Sequence, residues 1–256
     1  MGHVNKAIHH SLAAGDQAID RFAYQDAISH FEIGLELQTG GEEDMQTADM
    51  LFGLARAQYL SFERKDLGIA SSNLVKAYEL FTRFEENEKA MQAAVMSVPF
   101  THNQPGVAAM LENALTIVEP GSRHHAEMLA RYGRCVSSEF GDYNLGVVAF
   151  DQALEIARKS GDKSLEAKVL IHTLGTHAWN MDWDARLKAL NRARELADFV
   201  AEPLLKMEMH GYVAMESAMA GDPVTATAEI LQARDAARQT GKGYLVARIE
   251  ELEARM

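Results

Sequence analysis

Apolar residues recur along this chain at intervals of three and four, as in Phe150, Ala153, Leu154 and Ala157, which places one stripe on one face of a helix. No stretch shows the strict alternation of a half-buried strand, so helices are expected throughout. Turn chemistry punctuates them at Gly40-Gly41, Pro120-Gly121, Ser160-Gly161, Gly221-Asp222-Pro223 and Gly241-Lys242-Gly243. The five prolines, Pro99, Pro105, Pro120, Pro203 and Pro223, all fall at or near these boundaries, where a missing N–H is tolerated.

A second pattern lies over the first. Every other predicted helix carries a small residue, a bulky one four positions later and a small one three after that. The sets are Ala27, Phe31, Gly34; Ala70, Leu74, Ala77; Val107, Leu111, Ala114; Gly146, Phe150, Ala153; Arg186, Leu190, Ala193; and Ala226, Ile230, Ala233. Arg186 alone breaks the rule at the opening position. Successive sets stand about 40 residues apart, a spacing that means stacked supersecondary units. Small residues let two helices of a pair approach, the bulky one fills space against the next pair, and neither pair buries its apolar face alone. The predicted pairs are 4–39, 43–84, 85–119, 122–160, 162–201 and 202–240, with a last helix over 242–256, forming one domain over 1–256. Matching turns at Gly141-Asp142-Tyr143, Met181-Asp182-Trp183 and Gly221-Asp222-Pro223 each offer an aspartate to cap the following helix.

The run Gly141-Asp142-Tyr143, Gly146, Phe150, Ala153-Leu154-Glu155 resembles the second half of a tetratricopeptide (TPR) repeat, and Gly15 with Ala27, Phe31 and Gly34 matches the motif in the first pair. Gly133 and Gly175 lie one residue from the motif's glycine position, and the period exceeds the family's usual 34 residues. The resemblance implies an all-α, right-handed α-α superhelical solenoid of about six hairpins plus a terminal helix. More narrowly, Leu12 to Ala18 with Tyr24 to Ala27 and His30-Phe31 is similar to the helical sensor region of bacterial STAND-class signal-transduction ATPases and LuxR-type regulators such as the maltose-regulon activator. That likeness implies a fused ATPase or output domain in a parent protein. Neither a Gly-x-x-x-x-Gly-Lys-Ser/Thr loop nor a basic helix-turn-helix module stands in these residues. Met1-Gly2-His3 reads as a cloning start, and an excised fragment is expected.

Composition narrows the classes further. With 47% hydrophobic residues in 256, a sizeable core is expected, and no apolar run approaches a membrane span. A net charge of -12 disfavours nucleic acid. The densest basic cluster, Arg186, Lys188, Arg192 and Arg194, is interleaved with acids and reads as a solvated helix face. A single cysteine, Cys135, precludes an internal disulfide and fits a cytoplasmic protein.

Catalytic and metal chemistry find little footing. His9-His10, His124-His125 and the pair His172 and His177 lack the three- or four-residue spacing of helical metal ligands. Cys135 has no base within reach along its helix and reads as a small packing residue. Trp179 and Trp183, four apart across a helix end, are expected to staple that turn to its neighbour. The acidic runs Glu42-Glu43-Asp44 and Glu85-Glu86-Asn87-Glu88 read as solvated helix caps. Because first helices line the concave face of a tetratricopeptide solenoid, the resemblance implies a partner-binding groove of Phe52, Tyr59, Gln92, Met96, Met128, Arg131, Lys168, Ile171 and Met215, suited to peptide capture. No cofactor, no nucleic acid and no membrane are expected, and the chain is read as a non-enzyme. Its function is then ligand or partner sensing, of a peptide, protein or small effector, within a multidomain signalling or transcriptional regulator. The alternative is a stand-alone scaffold or co-chaperone that clamps a peptide tail through Arg131 and Lys168.

Overall fold

A computed structural model describes residues 2–38, 43–61, 66–96 and 105–255. Gly40-Gly41, Glu42 and Pro99 lie outside the described residues. Every regular element described is helical, and the elements fall into two compact units, Met1–Ile117 and Val118–Met256.

Three helix pairs build the first unit: α1 (Gly2–Asp20) with α2 (Tyr24–Leu37), α3 (Met45–Ser61) with α4 (Leu67–Arg83), and α5 (Asn87–Val95) with α6 (Val107–Ile117). Phe31 shows why the small–bulky–small pattern works. Its ring lies against Gly15 of its own pair and Gly53 of the next, where an added Cβ would sit 2.5 and 2.4 Å from ring carbons. A side chain at either glycine would push the helices apart and open the core of Ile8, Ile28, Met50 and Leu54. Farther on, Tyr78 donates to Asn113 at 2.7 Å and joins α4 to α6.

The second unit repeats the plan with α7 (Arg123–Glu139), α8 (Tyr143–Ser160), α9 (Lys163–Trp179), α10 (Trp183–Glu195), α11 (Pro203–Met219), α12 (Pro223–Gln239) and the terminal α13 (Gly243–Arg255). A short 3-10 turn, Ala197–Phe199, follows α10. First helices α7, α9, α11 and α13 pack one on the next, and each partner α8, α10 and α12 packs on the helix before it. Between α7 and α8 the backbones nearly touch: a Cβ on Gly133 would lie 2.8 Å from the Gly146 carbonyl oxygen, and one on Gly146 would lie 2.8 Å from that of Gly133. Gly133 is thus the close-approach glycine of this pair, despite its one-residue offset.

Every member of the six small–bulky–small sets is buried. Aspartates cap as expected: Asp142, Asp182 and Asp222 accept from the backbone N–H of Leu145, Ala185 and Thr225 at 2.9, 3.0 and 3.0 Å, and Asp162 does the same for Leu165 at 2.9 Å. The repeat period also appears in the side-chain bonds between neighbouring pairs. Lys89 meets Asp49 40 positions away, Arg123 meets Asp162 39 away, Tyr143 meets Asp182 39 away and Lys168 meets Glu127 41 away.

Two expectations need correction. Arg186 is not on a solvated face: it is 1% exposed, forms an ion pair with Glu216 at 3.0 Å and lies over the rings of Trp183 and Tyr212. Its neighbour Arg192 is likewise engaged, holding the buried Glu166 at 3.1 Å. The expected staple of Trp179 and Trp183 onto the neighbouring pair is only partial: Trp183 covers Arg186, which reaches Tyr212 and Glu216, while the two rings stay 68% and 49% exposed. Among the acidic runs, Asp44 caps α3 by accepting from the N–H of Thr47 at 2.9 Å, whereas Glu43 reaches Lys76 and Arg83 of α4 at 3.1 and 3.3 Å.

Candidate functional site

Along α7, charged residues recur on one side at helical spacing: Glu127, Arg131 and Arg134. Helix α9 answers with Lys168 and His172, four apart, and α11 with Glu208 and Tyr212, also four apart. Because α7, α9 and α11 pack in succession, these side chains meet in a largely buried polar array.

Lys168 bridges two helices, donating to Glu127 at 3.4 Å and to Glu202, the residue before α11, at 3.0 Å. A turn and a half farther along, Arg134 contacts Nδ1 of His172 at 2.5 Å and lies 4.0 Å from Glu208. Burial, with the cations Arg134, Lys168 and Arg131 close by, holds His172 well below the ordinary histidine range. The imidazole is therefore neutral at physiological pH and accepts the arginine's hydrogen bond. Tyr212 is pushed upward by burial and by Glu208. The array sets both charge signs and fixed donors on adjacent helices, and solvent reaches it at the Lys168–Glu202 end, where the Glu202 side chain is 42% exposed.

The positions expected to form the groove separate on inspection. Tyr59, Met128 and Ile171 are core side chains, at 2%, 0% and 1% exposure, and have no surface to present; the Tyr59 hydroxyl lies 2.8 Å from that of Ser71. Phe52 is half-buried, edge-on to Phe81 and under the Arg56 guanidinium, while Gln92 is exposed and Met96 ends α5 half-buried. Phe52, Tyr59, Gln92 and Met96 belong to unit one, and the polar array belongs to unit two. Arg131 and Lys168 do converge, both acting on His172. Met215 is half-buried on α11.

Sequence reading missed Arg134, Glu208 and the role of His172. Their signal was charge at helical spacing inside first helices whose other positions are apolar. Two clefts lined by residues of α8, α9 and α10 were also unforeseen. One of about 290 Å³ is lined by Phe150, Leu154, Leu170, His177, Lys188 and Arg192, and another of about 490 Å³ by Arg158, Lys163, Glu166 and Arg192.

The remaining candidates are accounted for locally. His177 makes a hydrogen bond of 2.8 Å with the Tyr143 hydroxyl, which donates to Asp182 at 2.7 Å. His125 accepts from the Gly121 N–H at 2.9 Å. Cys135 is buried, and desolvation raises its thiol to about 11. Among the described residues no group of three or more His, Cys, Asp or Glu is placed to hold a metal, and no helix is long and apolar enough to cross a membrane.

No family model matches the chain, and no curated protein matches it in sequence. Solved structures do match. The chain is similar to a Rap protein in complex with Competence and Sporulation Factor, at 16% identity over 96% of this chain and 71% of that one, with a TM-score of 0.53. It is also similar, at 16% identity over 91% of this chain and 74% of that one, to the Rap conjugation gene regulator of the plasmid pLS20 in complex with the Phr* peptide; there the TM-score is 0.34, too low to support an argument. The first likeness and the helices described above define the class: an all-α protein of stacked, tetratricopeptide-like hairpins. The likeness is to Rap proteins and adds nothing to the resemblance to signal-transduction ATPases.

Proposed function

We propose that the chain is a non-catalytic, peptide-binding scaffold of a signalling pathway, with the α7, α9 and α11 face as its recognition surface. One observation carries this reading: the interdigitated charges Glu127–Lys168–Glu202 and Arg134–His172–Glu208 stand where apolar residues would pack at lower desolvation cost. Support also comes from the similar Rap protein having been solved with a bound factor. Since Lys168 is already held by two carboxylates, a peptide carboxylate binds by displacing one of them, most readily Glu202, whose side chain is 42% exposed. Attachment to an ATPase or output domain in a parent regulator is a second reading, favoured only by the opening stretch from Leu12 to Phe31.

Selection of a displayed random dodecapeptide library against the chain, followed by calorimetry of the winners, tests the proposal. Binders are expected to weaken at least tenfold on Lys168→Glu and on Arg134→Gln, and to weaken as salt rises. Failure to select any binder, or winners indifferent to both substitutions, would overturn it.

A further inference from the structure

Three turns of unit two expose what a soluble surface usually hides. At α7–α8 stands Phe140; at α9–α10 stand Trp179, Met181 and Trp183; at α11–α12 stand Met219 and Val224. Their exposures run from 49% for Trp183 to 79% for Val224. The turns share one edge because α7, α9 and α11 pack in succession and each ends there. Tyr143 reaches across the first gap to His177 and Asp182, and Arg186 reaches across the second to Tyr212 and Glu216.

Together the six side chains expose on the order of 700 Å² of apolar surface across the three turns, near the roughly 800 Å² that one partner brings to a stable interface. Met181 stands in the middle turn of the three. It adopts φ 56, in the left-handed region, at the position where the flanking turns have Gly141 and Gly221 at φ 69 and 77.

Charge selects the occupant. Asp142, Asp182, Asp184 and Asp222 stand on these turns, and no lysine or arginine occurs in 139–145, 179–185 or 219–225. The nearest cations are accounted for: the Arg186 guanidinium is buried beneath Trp183, and Lys188 lies a turn down α10. A second copy would set these aspartates against themselves, and an anionic lipid surface would be repelled. We infer that this edge docks a cationic amphipathic helix of a partner protein, its apolar stripe on the Trp179–Met181–Trp183 ridge and its lysines or arginines against the aspartates. Three adjacent hairpins span about 20 Å at about 10 Å per helix, which about 13 residues of helix would cover.

The chain's two tryptophans, Trp179 and Trp183, both stand on this ridge, so its tryptophan emission reports on this edge alone. The test titrates the whole chain with a 14-residue Leu/Lys amphipathic peptide and with its Leu/Glu counterpart at physiological salt. A saturable blue shift with protection from acrylamide is expected for Leu/Lys, with Leu/Glu at least tenfold weaker. Measured by anisotropy of labelled peptide, Asp184→Lys and the double substitution Trp179→Ser with Met181→Gly should each weaken binding at least tenfold while leaving helical circular dichroism unchanged. The inference is overturned if both peptides bind equally, or if neither moves the emission. It is equally overturned if the shift grows with protein concentration alone, which would assign the edge to a second copy, or if it appears on phosphatidylserine vesicles, which would assign it to lipid.

Discussion

Replacing Phe150 by alanine tests the repeat register at its most loaded point. The ring is 2% exposed, lies about 3.0 Å from where a Gly133 Cβ would stand and has its centroid 6.4 Å from that of the His177 ring, so it fills the space between α7 and α9. Truncation forfeits about 1.5–3 kcal/mol of transfer free energy. The close glycine contact prevents α7 and α8 from collapsing farther into the vacancy, so a cavity contribution adds to that loss and the total reaches about 3–5 kcal/mol. Urea denaturation followed by far-ultraviolet circular dichroism measures it, with the exposed positions Gln152→Ala on α8 and Glu88→Ala on α5 as controls expected within about 0.5 kcal/mol of wild type. A loss below about 1 kcal/mol for Phe150→Ala, or controls that cost more than it does, would refute the register in this pair.

Other outcomes follow from the same contacts. His172 and His177 are both held below their ordinary value, His172 by burial and surrounding cations and His177 by burial, so the unfolded chain takes up protons first. Stability is therefore full above about pH 6.5 and falls as pH drops below it, by at most about 1.4 kcal/mol per pH unit for each histidine. His172→Gln, which keeps an acceptor for Arg134, should flatten that fall in denaturant titrations between pH 7.5 and 5; an unchanged slope would contradict the assignment. Arg186→Ala should cost about 3–5 kcal/mol by opening a cavity and stranding Glu216, whereas Arg186→Met should stay within about 1 kcal/mol, read by thermal melts. Cys135, buried and with its thiol raised to about 11, should resist a disulfide reagent at pH 8 until the chain unfolds. Met181→Gly alone should raise stability by about 1 kcal/mol, checked by urea midpoint, even as it weakens docking on the turn ridge.

Much of the fold was legible because burial imposes period. The stripe of Phe150, Ala153 and Ala157, and the aspartates before α8, α10 and α12, are local signals that a single helix or turn must satisfy. Arg186 shows the limit of such reading. Its spacing marks a buried position and its chemistry a solvated one, and only the ring of Tyr212 and the carboxylate of Glu216, both on another hairpin, reconcile the two. Tyr59, Met128 and Ile171 lie in the core for a related reason: helical spacing assigns them to first helices but does not say which side of the helix faces a neighbour. Arg134, His172 and Glu208 come together only through the packing of three first helices, a relation 36 to 38 positions long that no local pattern encodes.

Hydrogen exchange of the chain with and without a library-selected peptide tests recognition on the first helices most directly. Protection is expected over 123–139, 163–179 and 203–219, the helices that hold Lys168, Arg134 and Glu208. Protection confined to α8, α10 and α12, with none over α7, α9 or α11, would contradict it.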